Sequence, residues 1–466
     1  MHSFLYFIVR VGNGILAIVM LAAFSRMLSP EEYGIYAIGM ATATLASGIL
    51  YQWLNSAVSR FTPIYHKDSR IFIILVARGF WASTIAAVFI SLGVLAFQNI
   101  LSVEPALIGV LLLIVVGLGY HTISLQMANA QSDPLRYGMI TWSKSVVALI
   151  VSLLFISSGG GGQSALLGLL AGLIFSAIAF PQKALMRIKP VIKETGLSDD
   201  MLRFGLPVTL NFIALIIVDV ADRFIIAKLL GFSYVATYAV AYDLVQQMVG
   251  AFMNALFLAA LPKILQTFED GRGKSSHFYL YSLGTKIVFL GLPFSVGLGV
   301  LASDITEVFL GIKYHQDAVI IIPWLAAAIF LAGFKSFFLD VVFQIHQATK
   351  YIAYISVLMA SVNIVLNIVL LPRYGLIAAA WATLIAFLVG VIASWTLGKS
   401  LYVLPNLVKV ILKSAVASSF MALFLCFLPS APTFMLLFCK VILGVIIYYL
   451  ISWTLDVAGC RKLFKV

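Results

Sequence analysis

Asp219, Asp222 and Arg223 stand inside a stretch that is otherwise apolar from Pro207 to Leu230. At ~1.5 Å per residue such a stretch, as a helix, crosses a hydrocarbon layer ~30 Å thick. Spacings of three and four residues put the three charges on one helical face, and Asp219 with Arg223 makes an acid-first pair one turn apart. A charge near a bilayer centre costs about 3 kcal/mol even on the lenient insertion scale, so this face must look into a bundle interior or a watery cavity. Two chemistries fit these residue types. Arg223 can be an anion ligand, with Asp219 and Asp222 carrying an ion or a proton; or Asp219 and Arg223 form a pair that only neutralises itself.

Other charges inside apolar stretches extend the pattern. Lys144, Lys286 and Lys335 each lie several residues in from one end of their stretch, Arg10 and Arg78 lie nearer that end, and Lys440 is in the last stretch. Fixed cations in a low-dielectric interior attract anions, whereas lysines near a helix end can instead snorkel to the headgroups. Among the acids, Asp243 joins Asp219 and Asp222 toward one half of the layer, and Asp340 sits toward the other. Such carboxylates can bind Na⁺, relay protons, or act as counter-ions to Arg223. His121 and His346 have no second ligand at metal spacing and read as polar packing residues. Cys426, Cys439 and Cys460 form neither a CxxC nor a disulfide framework, so no metal site and no cofactor are expected.

The elements that must position these residues are transmembrane helices. Of 466 residues, 62% are hydrophobic and 10% charged, far below the roughly 25% charged of a soluble domain. The chain reads as an all-α polytopic membrane protein with about fourteen spans. Six lie in the first half: Leu5–Leu28, Tyr33–Val58, Ile71–Phe97, Pro105–Met127, Tyr137–Ile156 and Ala165–Phe180. Eight follow: Pro207–Leu230, Val235–Leu261, Phe278–Leu301, Val319–Phe343, Tyr351–Leu371, Gly375–Leu397, Val408–Leu428 and Thr433–Leu455.

With loops alternating sides, 19 of the 30 Lys and Arg residues fall on the side of both termini, 4 on the other side and 7 inside helices. The positive-inside rule then makes both termini cytoplasmic. The formal charge of +12 is thereby a topology signal, and no nucleic-acid partner is expected. Far-side loops are short, and Gly159–Gly162 is a flexible turn. The longest polar stretch, 181–206, is a cytoplasmic linker in which Ser198 can cap a short helix with Asp199 and Asp200 in its first turn.

Ser25–Ala41 aligns without gaps on Ala227–Asp243, matching Arg26 with Lys228, Leu28 with Leu230, Tyr36 with Tyr238 and Ala37 with Ala239. An internal repeat suggests two lobes with a binding site between them. The expected division is an N-lobe at 1–180, the linker at 181–206, a C-lobe at 207–397, and two further helices with a tail at 398–466.

Six stretches carry a family resemblance. The turn LSPEEYGIYAIG, the LRFGLP entry to the seventh span, DRFIIAKLLG, YAVAYDL, FLGIKYHQDAVIIIPWL (Phe309–Leu325) and LLPRYGLIAAAWATL (Leu370–Leu384) follow one another in register. Together they resemble the polysaccharide-biosynthesis (Wzx-type) flippases of the multidrug/oligosaccharidyl-lipid/polysaccharide exporter superfamily. The resemblance implies two six-helix lobes around a central cavity, plus two C-terminal helices, in a bacterial cytoplasmic (inner) membrane. It implies an undecaprenyl-pyrophosphate-linked oligosaccharide as cargo, moved by alternating access for O-antigen or exopolysaccharide synthesis. Membrane lipid, and a polysaccharide polymerase with chain-length proteins, are the implied partners. The intramembrane bases Arg223, Lys286, Lys335, Lys144 and Arg78 suit a pyrophosphate and an acidic glycan, with Asp219, Asp222 and Asp243 as candidates for H⁺ or Na⁺ coupling.

A cation-coupled multidrug exporter of the same superfamily is the main alternative. Its cavity should be acid-rich, yet bases outnumber acids at the intramembrane positions. A membrane glycosyl polymerase would need catalytic groups on a substantial external loop, which the short loops do not offer. The chain therefore reads as a transporter and not as an enzyme.

Overall fold

A backbone that crosses lipid must satisfy its own hydrogen bonds, and this chain does so in helices. The computed structural model describes residues 2–65, 70–98, 104–183, 185, 196–269, 273–457 and 459. Among the described residues there is no strand, and fourteen helices are long and apolar enough to cross a membrane. They coincide with the fourteen stretches expected.

The first unit, Met1–Phe224, holds α1 (His2–Met27), α2 (Pro30–Tyr65), α3 (Arg70–Ala96), α4 (Pro105–Ala130), α5 (Pro134–Ser157), α6 (Gly162–Ala179) and most of α7 (Leu197–Leu229). Local chemistry sets their ends. Ser29 and Glu32 form a capping box: the Ser29 N–H donates to Glu32 Oε2 at 2.9 Å and the Glu32 N–H to Ser29 Oγ at 3.3 Å. Asp133 accepts from the Arg136 N–H at 3.0 Å, with Pro134 opening α5 behind it. The core gathers around Tyr51, Leu54, Val58, Ile114, Ile123 and Leu166. Tyr51 and Thr84 share a hydrogen bond of 3.0 Å, and the Trp53 indole N–H donates to Ser83 at 3.2 Å.

α5 and α6 form the tightest helical pair. A Cβ at Gly168 would meet Ser152 Oγ, and one at Gly172 the Lys144 carbonyl, so Gly168-x-x-x-Gly172 lets the two backbones touch.

α7 begins at Leu197 and runs without a break through Pro207 into the membrane stretch. The short separate helix capped by Ser198 is therefore the first turns of α7, with Asp199 and Asp200 in its first turn as expected. α7 lies along α2: Ile216 and Val220 pack with Ala41, and a Cβ at Gly205 would strike the Trp53 carbonyl. The compact unit accordingly closes inside α7, one helix later than the linker. Residues 184 and 186–195 of that linker, with Arg187, Lys189 and Lys193, lie outside the described residues, as do Lys67 and Arg272.

The second unit, Ile225–Val466, holds α8 (Phe232–Phe268), α9 (Gly273–Val300), α10 (Ile312–Ile345), α11 (Lys350–Tyr374), α12 (Ile377–Leu401), α13 (Val408–Cys426) and α14 (Phe434–Thr454), with a short helix Ala302–Phe309 between α9 and α10. The α7–α8 turn repeats the α1–α2 turn: Met27 and Leu229 end the first helices and Pro30 and Phe232 open the second, in the register that aligns Arg26 with Lys228. Gly231, at φ 102°, replaces the Ser29 cap at this point. α8 and α10 each widen into one π turn, Gln246–Gly250 and Lys335–Leu339, features no apolar pattern announces and often found at functional positions.

Candidate functional site

The intramembrane charges fall into three environments. In α7, Asp222 is 1% exposed and Arg223 8%, whereas Asp219 is exposed, so the three charges on one face differ sharply in burial. Asp243, on α8, is half-buried.

Lys335 is fully enclosed, and the π turn that contains it brings its Nζ to 2.6 Å from Asp340 Oδ2. Ser394 of α12 donates to the other oxygen of Asp340 at 2.8 Å. Lys440 is similarly enclosed, with its Nζ 2.5 Å from Asp304 Oδ2 and the Ala431 N–H donating to Asp304 Oδ1 at 2.8 Å. Neither lysine snorkels. Each is held by a carboxylate whose second oxygen also has a donor, the arrangement a buried charge requires.

Lys286, Lys144 and Arg78 form the third group. Lys286 and Arg78 are exposed and Lys144 is half-buried, and among the described residues none of them forms an ion pair. Lys144 lies within electrostatic reach of His121, a buried side chain whose Nδ1 has no hydrogen-bond partner among the described residues. Arg10 is exposed on α1. His346 turns its Nδ1 to the Val342 carbonyl at 2.9 Å.

Lys286 has a neighbour that sequence reading did not find. In the second unit, α8, α9, α13, α14 and the short helix Ala302–Phe309 enclose an apolar groove of about 390 Å³. Leu290, Phe294 and Leu298 of α9 and Leu437, Val441 and Val445 of α14 line it. Lys286 precedes Leu290 by one turn on the same helical stripe, which stands a cation beyond one end of an oily slot. The only sign in the sequence was a helical stripe, and in a chain this apolar nearly every face has one.

A second polar cluster was also missed. Tyr238 and Thr383 share a hydrogen bond of 2.9 Å, Asn363 approaches Thr383 at 3.5 Å, and the Asn367 amide donates to the Asn363 carbonyl at 2.9 Å. Asn363 Oδ1 is buried with no hydrogen-bond partner among the described residues. Neutral oxygens of this kind suit a hard cation. The Asn363-x-x-x-Asn367 spacing in an apolar span was the available signal. Among the described residues no group of three His, Cys, Asp or Glu side chains stands together as a metal site.

Among the described residues, fourteen apolar helices in two units, the second entered by a repeat of the first turn, define a polytopic membrane fold. Solved structures share it. A lipid II flippase MurJ in an inward closed conformation superposes with a TM-score of 0.80 at 18% identity, over 99% of this chain and 100% of that one. An inward-facing multidrug-resistance MATE transporter of the MOP superfamily gives 0.62 at 14% identity, over 86% of this chain and 98% of that one. A MOP-superfamily transporter from Pyrococcus furiosus, characterised by reversed polarity of its binding pocket, gives 0.51 at 13%, over 86% and 94%. No curated protein sequence matches the chain. The profile of the family described as polysaccharide biosynthesis protein matches residues 23–319, and the chain belongs to that family.

Proposed function

We propose that this protein flips an undecaprenyl-pyrophosphate-linked oligosaccharide across the bacterial cytoplasmic membrane by alternating access, with both termini cytoplasmic, for cell-surface polysaccharide synthesis. One observation carries the substrate class: an exposed Lys286, with no ion pair among the described residues, stands one turn beyond an apolar groove. A polyprenyl diphosphate has the same two parts, a hydrocarbon chain and an adjoining anion. Membership of the polysaccharide biosynthesis family and likeness to a lipid II flippase in fold support the reading.

Lys144, Arg78 and Arg223 supply further positive charge for pyrophosphate or acidic sugars, while Lys335 is assigned a structural role because Asp340 neutralises it. Coupling to H⁺ or Na⁺ falls to Asp219, Asp222 and Asp243, with the oxygen cluster at Asn363 as a further cation candidate. A polymerase and chain-length proteins are the expected partners downstream.

The test is the lipid extract of a deletion strain. A lipid-linked oligosaccharide should accumulate and disappear on complementation, and Lys286→Ala should restore export about tenfold less well at equal protein level. Likeness in fold to a multidrug transporter supports the second reading, a cation-coupled drug exporter. Drug sensitivity without any accumulated glycolipid would establish that reading in place of the first.

A further inference from the structure

α14 packs along α13 and forms one wall of the groove, and it reaches the opposite wall through two polar contacts. At one end Lys440 meets Asp304 of the short helix Ala302–Phe309 at 2.5 Å, and Asp304 also holds the Ala431 N–H that precedes α14. At the other end the Tyr448 hydroxyl donates to the Phe289 carbonyl of α9 at 2.7 Å. Lys440, Gly444 and Tyr448 follow at four-residue spacing, so both tethers leave the same face of α14 and the groove runs between them.

A buried ion pair is weak evidence for stability, since apolar residues of similar volume often serve as well, and fixing a register is its best-attested use. In this bundle an apolar contact would let α14 slide or lean, whereas two polar contacts hold it at one distance from α9 and from the short helix Ala302–Phe309. The walls between them carry a glycine each, Gly297 on α9 and Gly444 on α14; at Gly444 the space is taken by Leu425 of α13, whose Cδ1 a Cβ there would meet at 3.2 Å. A Cβ at Gly297 would meet only Met421 Cε at 3.6 Å, an ordinary contact, so that glycine leaves space in the groove.

We infer that Asp304, Lys440 and Tyr448 are positioning residues that set the width of this groove, and that Gly297 makes room in it for a branch methyl of an isoprenoid chain. Lys286, beyond the Tyr448 end, meets the chain's phosphate. The inference rests on the polyprenyl-linked substrate proposed above and adds how the chain is told from a linear acyl chain.

Two photoactivatable phosphates of equal length, one polyprenyl and one linear alkyl, test it on the purified full-length protein, with labelling of α14 read by mass spectrometry. Wild type should label with the polyprenyl probe in preference to the linear one. Asp304→Leu with Lys440→Met, and separately Tyr448→Phe, should lower that preference about tenfold while the melting temperature holds, and Lys440→Arg should keep it. Gly297→Ala should reduce polyprenyl labelling and spare the linear probe. Unchanged preference in Tyr448→Phe and in the tether double variant, or equal loss of both probes in Gly297→Ala, would overturn the inference and leave the export reading standing. Absence of labelling in wild type would remove the chain site itself, and glycolipid accumulation in the deletion strain would then still judge the substrate independently.

Discussion

At the scale of single residues, intramembrane charge divides into committed and uncommitted groups, and the two respond oppositely to substitution. Lys335→Ala leaves Asp340 charged, buried and short of its cation, which costs about 3–5 kcal/mol. The expected result is a lower melting temperature and less inserted protein, with Lys335→Met combined with Asp340→Leu recovering both. A single Lys335→Ala variant as stable as wild type would show that the pair is not buried in the membrane. Arg223 and Asp219 need a different experiment, since Arg223 is buried and Asp219 exposed. If they only neutralise one another, removing both should restore what each alanine alone damages. We expect the Asp219→Ala, Arg223→Ala double variant to insert normally and fail to export, because Arg223 is buried while Asp219 is exposed, which does not suit a pair that only neutralises itself. Export near wild-type level in the double variant would end the case for Arg223 as a substrate ligand.

At the scale of elements, helices in lipid gain nothing from burying apolar surface against one another, so close packing and polar contacts must hold them. The α5–α6 pair uses the first device. Gly172→Leu would drive a side chain into the Lys144 carbonyl and Ala148, in backbone that cannot yield. The expected cost is about 1–3 kcal/mol or more, read as thermal destabilisation of the purified protein, and it would also displace Lys144. Gly297→Ala, whose Cβ would make only an ordinary contact with Met421 Cε at 3.6 Å, is the control and should leave the melting temperature nearly unchanged. The π turns in α8 and α10 belong to this scale too: the second is what curls Lys335 back onto Asp340, five residues on.

At the scale of the whole molecule, topology is the quantity to measure. Lys313 opens α10 from an exposed position and Lys399 ends α12 from another, and the charge bias assigns them to opposite sides. In a variant lacking Cys426, Cys439 and Cys460, a cysteine at position 313 should react with a membrane-impermeant thiol reagent in intact cells. One at position 399 should react only after the membrane is opened. The reverse pattern would invert the orientation, and with it the direction of transport.

All fourteen helices were legible in the sequence, because in a bilayer apolar length alone decides which segments cross and no other backbone arrangement is admissible. The repeat was legible for a related reason: the turn at Ser29 and that at Gly231 are the few polar interruptions, and helices beginning and ending in register around them leave a visible offset. The presence of charged residues inside the spans was equally plain. Which of them are spent on partners was not, since Lys286, Lys335 and Lys440 look alike as letters. The carboxylates that take up two of them come from the residue that follows a π turn and from a helix 136 residues away along the chain. The groove was invisible for the converse reason: its lining is the same leucine, phenylalanine and valine that face lipid everywhere else, and only the packing of α9 and α14 on α13 turns such a surface inward. Composition therefore determines the fourteen helices, among the described residues, that are long and apolar enough to cross a membrane, while tertiary structure decides which of the charges stay available, because availability depends on neighbours brought from distant parts of the sequence.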